Sequence, residues 1–290
     1  MRNGKVMSER LLWITGAGGL IGSQFIRLAP TLASEWRVRG LERAELNLTD
    51  AASIRRLFAA EKPAAIIHCA AMSKTPACQA DPTLARQINV EATSLLSELA
   101  AEIPFVFFST DLVFDGRQGN YDESAAPNPL NVYAETKAQA EQVVLRNPRH
   151  TVIRTSLNGG ASPTGDRGFN EETRNALRTG KILNLFTDEF RNPIAAHVTA
   201  RAIIELLQLG ASGLFHVAGS ERLSRWEIGQ LLVARWGEGA SQLRAGSLRD
   251  YTGPTRAPDT TLNCAKAQSL LSFPLPKFSE WLRDHPAEPF

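Results

Sequence analysis

The stretch LLWITGAGGLIGSQFIRL, residues 11–28, decides the fold. Residues 11–14 form an apolar run of strand length, and Thr15 onward breaks it with glycines. From Gly19 to Leu32 the apolar residues Leu20, Ile21, Phe25, Ile26 and Leu28 recur at helical spacing. Strand, glycine turn and helix make the first unit of a dinucleotide-binding parallel sheet. Gly16 permits a tight turn, Gly19 lets backbone approach a pyrophosphate, and Gly22 lets the helix pack closely. The positive end of that helix then faces the phosphates.

Farther along, the pattern repeats. Residues 36–41, 64–68, 105–108 and 150–154 read as strands, and helical segments separate them. Asp81-Pro82 opens a helix, Asp as cap and Pro at the first helical position. Alternating strands and helices imply an α/β, Rossmann-type doubly wound parallel sheet with right-handed crossovers. After residue 156 the pattern loosens. Residues 158–170 are rich in Gly, Ser, Pro and Thr and read as a loop, a lid or a plain connector. Helical signals return at 171–178 and 197–209, and Ser224-Arg225-Trp226-Glu227 is a capping box. Residues 1–156 are therefore expected to form the dinucleotide-binding domain. Residues 157–290 are expected to form a smaller substrate-binding region, interleaved with a late strand near 213–217, with substrate in the cleft between them.

The segment NVYAETKAQAEQVVL, residues 131–145, adds chemistry to that frame. Tyr133 and Lys137 are four apart on one helix, so both reach one ligand. A lysine ammonium near the phenol favours the phenolate and lowers a pKa that starts near about 10. The pair suits proton donation to a carbonyl oxygen while hydride reaches its carbon. The apolar strand before it ends at Ser109-Thr110-Asp111, which puts a hydroxyl at the carboxyl edge where ligands bind. A turn cap is the commonplace job for that threonine.

These motifs carry a resemblance. TGAGGLIG has the G-x-x-G-x-x-G spacing of the extended short-chain dehydrogenase/reductase superfamily. STDLVFDG (109–116) followed by YDESAAPNPLNVYAETKAQAE (121–141) resembles its dTDP-4-dehydrorhamnose reductase-like branch. The similarity extends through IIHCAA (66–71), INVEAT (88–93), IRTS (153–156), DEFRNPI (188–194), GLFHVAG (213–219), RLSRWE (222–227) and TTLN (260–263), essentially the whole chain. It implies an NAD(P)H-dependent reductase of a keto group on a nucleotide-sugar. Tyr133 would be the general acid, Lys137 its electrostatic partner and a ribose ligand, and Thr110 the hydroxyl that orients the keto oxygen. Asp111 would stand beside them on the substrate. The cofactor would be held by Gly16, Gly19, Leu20, Ile21, Gly22, Glu42, Arg43, Asn47, Leu48, Ala70, Ala71, Met72, Tyr133 and Lys137. Asn89 would sit in a bracing helix.

Three departures stand out. Leu157 replaces the tryptophan on which a sugar stacks, Asn47 replaces an aspartate toward the adenine, and Ala134 replaces a glycine. Glu42 favours an unphosphorylated ribose, whereas Arg43 favours a 2′-phosphate. With Arg43 folded over the adenine and Glu42 turned away, the balance tilts slightly to NADP(H) over NAD(H). Two other readings stay open. One is an NAD-dependent nucleotide-sugar epimerase or dehydratase. The other is a cofactor-binding regulatory subunit like the methionine adenosyltransferase β subunit.

Composition limits the partners. With 32 basic and 30 acidic residues, net +2, and no long run of one sign, neither a nucleic-acid footprint nor a membrane-surface helix is indicated. Three scattered cysteines, Cys69, Cys78 and Cys264, argue against a disulfide framework or zinc site and for a reducing compartment. Cys78 reads as an incidental surface thiol, and His68 and His216 as packing residues. The basic N-terminus before residues 11–14 mimics a signal peptide, but the apolar run is too short. A cytoplasmic protein with a small-molecule substrate is expected, and a homodimer is allowed for.

Overall fold

The computed structural model describes residues 10–253 and 255–290; the basic N-terminal stretch weighed as a signal peptide lies mostly outside them. Five parallel strands, β1 (Arg10–Thr15), β2 (Trp36–Leu41), β3 (Ala65–His68), β4 (Phe105–Thr110) and β5 (Thr151–Thr155), are joined by a sixth, Gly213–Val217. Their spatial order is β2, β1, β3, β4, β5 and Gly213–Val217. The late strand pairs with β5, Gly213 opposite Thr151 and Val217 opposite Thr155. Chain direction across the sheet reverses between β1 and β3, the crevice where open α/β sheets take ligands.

Both faces of this sheet are covered, which explains why its strands are apolar throughout. Leu12, Ile14, Ile67, Val106, Phe108 and Ile153 pack on one side with Phe25 and Ala29 of helix α1 (Leu20–Leu32) and with Ala200, Ile203 and Ile204 of the later helix Ala196–Gln208. Leu11, Trp13, Ile66, Phe105, Phe107 and Val152 face the other way. They meet α2 (Ala51–Glu61), α5 (Ala92–Leu99) and α6 (Val132–Val144). Neighbours in sequence thus alternate between two cores, as strand pleating requires.

Two short helices, α3 (Thr75–Ala80) and α4 (Pro82–Arg86), precede α5. Asp81 caps α4 as expected, accepting from the Leu84 N–H at 2.9 Å. A π-helical turn over Gln87–Glu91 then interrupts the path to α5; such turns recur at functional sites. Beyond β5 the structure is pieced from short pairings, Asn158–Gly159 with Ile194–Ala195 and Leu223–Ser224 with Phe190–Arg191. The Ser224–Glu227 capping box forms on both sides, and opens helix Arg225–Trp236. The loop read at 158–170 yields to a helix at Phe169–Arg178. Among the described residues no helix is long and apolar enough to cross a membrane.

Cys78 corrects its reading: it is buried in α3, where its thiol donates to the Met72 carbonyl at 3.1 Å. The polarity of SKTPACQADP hid a helix whose inner face closes over that loop. His68 is a satisfied packing residue, as expected. Its Nδ1 meets the Thr15 hydroxyl at 2.6 Å and its Nε2 the Thr93 hydroxyl at 3.1 Å. Because Thr93 donates onward to the Asn89 carbonyl and Thr15 accepts from the Ala70 N–H, the proton belongs on Nε2. Burial pushes its pKa down to about 3, so it stays neutral.

Candidate active site

A cleft of about 930 Å³ runs along the carboxyl ends of the strands, from the glycine turn to α6. At one end Gly16 adopts φ +69°, and a Cβ there would come 2.8 Å from the Ala70 backbone. Loops after β1 and β3 therefore touch, which only glycine permits. A Cβ on Gly22 would come 2.2 Å from the Gly16 carbonyl, so the turn itself, more than the strand, demands that glycine. Gly19 begins α1 without a side-chain cap. The first-turn N–H groups, with Leu20 and Ile21 on the cleft wall, are thus left for an anion. This end fits the diphosphate of a dinucleotide.

Every residue expected to hold the cofactor lines this cleft: Gly16, Gly19, Leu20, Ile21, Gly22, Glu42, Arg43, Asn47, Leu48, Ala70, Ala71, Met72, Tyr133 and Lys137. Asn89 braces the middle. From the π-helical turn its side chain accepts from the Met72 N–H at 2.9 Å, donates to the Met72 carbonyl at 3.0 Å, and donates to Thr136 of α6 at 3.0 Å. Asn47 spends its side-chain oxygen on Thr49, at 3.1 Å from the N–H and 2.9 Å from the hydroxyl. What remains toward the cleft is its amide NH2, a donor. Glu42 does not turn away: its carboxyl carbon stands 3.2 Å from where a Gly18 Cβ would be. It faces the glycine turn because β2 ends directly beside it, and that removes half of the argument for a 2′-phosphate.

At the other end Thr110, Tyr133 and Lys137 converge on one wall. Thr110 does perform the cap job weighed for it, its hydroxyl accepting from the Leu112 N–H at 3.2 Å. Lys137 is buried on α6 with its Nζ 4.0 Å from the Phe107 ring centroid. Burial pushes it down to about 7, with Glu141 pulling the other way. Tyr133 departs from expectation. Burial pushes its phenol well above the usual 10, and the Thr110 hydroxyl opposes that. Desolvation dominates, and the phenol is held protonated, the form a proton donor needs.

Asp111 does not line the cleft. It is buried, accepting from Ser156 at 2.7 Å and Thr260 at 2.8 Å, with Arg191 at 3.7 Å. Its carboxylate is consumed behind Thr110, leaving nothing for a substrate. Leu157 is half-buried and packs against the larger core, and its aliphatic side chain offers no ring for stacking. Sequence reasoning missed Thr15, Cys69, Ser156, Asn158, Lys74 and Arg167 on the cleft wall. The first three stand at or just beyond the ends of β1, β3 and β5, so the strand-end rule that found Thr110 would have found them.

A glycine turn on β1, a tyrosine–lysine pair on α6 and a hydroxyl ending β4 define an extended short-chain dehydrogenase/reductase. The chain belongs to the RmlD substrate binding domain family, whose model matches residues 10–288. It is 30% identical over 260 residues to the probable low-salt glycan biosynthesis reductase Agl14 of Haloferax volcanii, covering 85% of this chain and 87% of that protein. It is 29% identical over 281 residues to methionine adenosyltransferase 2 subunit beta of Xenopus laevis, covering 91% of this chain and 83% of that one. In fold it is similar to a dTDP-4-dehydrorhamnose reductase of Bacillus anthracis solved in complex with NADP. The TM-score there is 0.87 at 22% identity, over 95% of this chain and 98% of that one.

Proposed function

We propose that the protein reduces a keto group on a nucleotide-sugar, with NADPH or NADH as reductant. The observation that carries this reading is the convergence of Thr110, Tyr133 and Lys137 at one end of a cleft whose other end fits a diphosphate. A bound reduced nicotinamide supplies the hydride to the carbonyl carbon. Thr110 orients the carbonyl oxygen, and the protonated Tyr133 gives that oxygen its proton, so C=O becomes CH–OH. Lys137, charged below about pH 7, stabilises the phenolate left on Tyr133 and holds the ribose beside it. Residues 1–156 act as the cofactor half and 157–290 as the substrate half. NADP(H) remains the preferred cofactor on Arg43, now opposed by Glu42. The three free thiols support work in the reducing cytoplasm.

The test is NADPH and NADH oxidation, followed by absorbance, against 4-keto nucleotide-sugars, beginning with dTDP-4-dehydrorhamnose. Turnover supports the reading. Tight cofactor binding without turnover on any of them would instead favour a regulatory role.

A further inference from the structure

Residues 160–168 have the glycine, serine and proline of a plain connector, yet a ring of hydrogen bonds fastens them. Asn170 accepts from the Gly160 N–H at 3.1 Å and donates to the Gly160 carbonyl at 2.9 Å. Glu171 accepts from the Ser162 N–H and hydroxyl, each at 2.7 Å, and from the N–H groups of Arg167 and Gly168 at 2.9 and 2.8 Å. Gln24 of α1 donates to the Ala161 carbonyl at 3.1 Å, and Asn175 to the Gly165 carbonyl at 3.0 Å. A strap fastened at so many points is pre-organised for whatever it meets.

Its position says what that is. A Cβ on Gly168 would come 3.4 Å from Leu20 Cδ2, and one on Gly160 4.0 Å from Leu20 Cδ1. Leu20 is the first residue of α1, so the strap lies against the start of that helix. Pro163, Thr164 and Arg167 line the same cleft as Gly16, Gly18 and Gly19. Lys74 meets Glu172 at 3.2 Å, which ties the strap's helix to the loop after β3. Arg167 makes its protein contacts through Nε, to the Thr164 hydroxyl at 3.1 Å and to Asp166 at 3.2 Å. Its two terminal nitrogens donate no hydrogen bond to any described residue. An arginine on a fixed loop, with the end of its guanidinium unused, suits an oxyanion in the cleft beside it.

We propose that Arg167 pairs with the diphosphate of the dinucleotide, whose opposite side rests on the N–H groups at the start of α1. The inference rests on the dinucleotide reading of the cleft and deepens it. One cofactor ligand then comes from the half of the chain otherwise given to substrate, and the cofactor is held across both halves. The choice between NADPH and NADH is untouched, since both carry the same diphosphate.

Fluorescence titration with NADPH and with NADH, in the absence of any nucleotide-sugar, tests this. Arg167→Gln should weaken both by one common factor, about tenfold, the worth of a charge-assisted hydrogen bond at a solvated site, with the melting temperature unchanged. Arg167→Lys should recover part of the loss. Titration of dTDP into the NADP-saturated proteins should give the same result for wild type and Arg167→Gln. Unchanged affinity for both dinucleotides in Arg167→Gln would overturn the assignment. So would a loss confined to NADPH, which would put the arginine on the 2′-phosphate, or one confined to dTDP, which would put it on the substrate. A wild type that binds neither dinucleotide would overturn the dinucleotide reading itself, a separate and recognisable failure.

Discussion

One turn of α6 separates two buried charges that are treated in opposite ways. Glu141 is fully paired: Arg154 reaches it at 2.7 and 3.0 Å, and the Ser109 hydroxyl at 2.5 Å. Among the described residues Lys137, a turn earlier, has only the face of Phe107 and the open cleft. A charge with every partner in place is part of the frame. A buried charge whose partner is missing costs stability, and it persists where a ligand is to supply that partner. The contrast predicts that substitutions on the Glu141 side damage folding and those on the cleft side damage chemistry.

The sharpest way to break the comparison is Tyr133→Phe. Removing the proton donor should cut turnover by about 10²- to 10⁴-fold, while NADPH affinity, measured by fluorescence titration, stays within about twofold because the ring still packs. Retained turnover would sink the assigned mechanism. Next comes Glu141→Ala, which leaves the buried Arg154 guanidinium unpaired. It should cost about 3–5 kcal/mol in urea unfolding, far more than any change at Tyr133. A loss below about 1 kcal/mol would show that the pair is not the structural element inferred here.

Lys137→Met should do the reverse, and its sign follows from linkage. The folded pKa, about 7, lies below the ordinary 10.5, so between those values the unfolded chain holds a proton that the folded chain does not. Stability attributable to this group therefore falls as pH drops through 10.5 and levels out below 7. The methionine variant should melt higher than wild type by about 5 °C at pH 6, with the gain nearly gone by pH 10, and it should be catalytically crippled. A gain independent of pH would mean that packing, not charge, was responsible.

How much of this was legible depended on whether a residue's role is local. The glycine turn, the strand sequence, the Asp81 cap and the Ser224–Glu227 box are set within a few residues, and each appears where the pattern put it. So do the cleft-lining positions, because a strand end in a parallel sheet points one way only. Asp111 and Cys78 were misread because their partners, Thr260 and Arg191 or the Met72 carbonyl, come from distant or unmarked segments.

The smallest expected effect concerns a lone charge that is not buried. Arg43 stands exposed on the cleft rim beside Glu42, whose carboxylate faces the glycine turn. Water already solvates this guanidinium, so its loss should leave stability within about 0.5 kcal/mol of wild type, unlike any change at Lys137 or Glu141. Its effect should fall on cofactor choice alone. Arg43→Ala should weaken NADPH by about tenfold, one charge-assisted contact, and leave NADH unaltered, read as the ratio of their kcat/KM values. Glu42→Ala should move that ratio the other way, by relieving repulsion of a 2′-phosphate. If neither substitution shifts the ratio, the adenosine ribose is read elsewhere on the rim, and the preference for NADP(H) loses its only support in this chain.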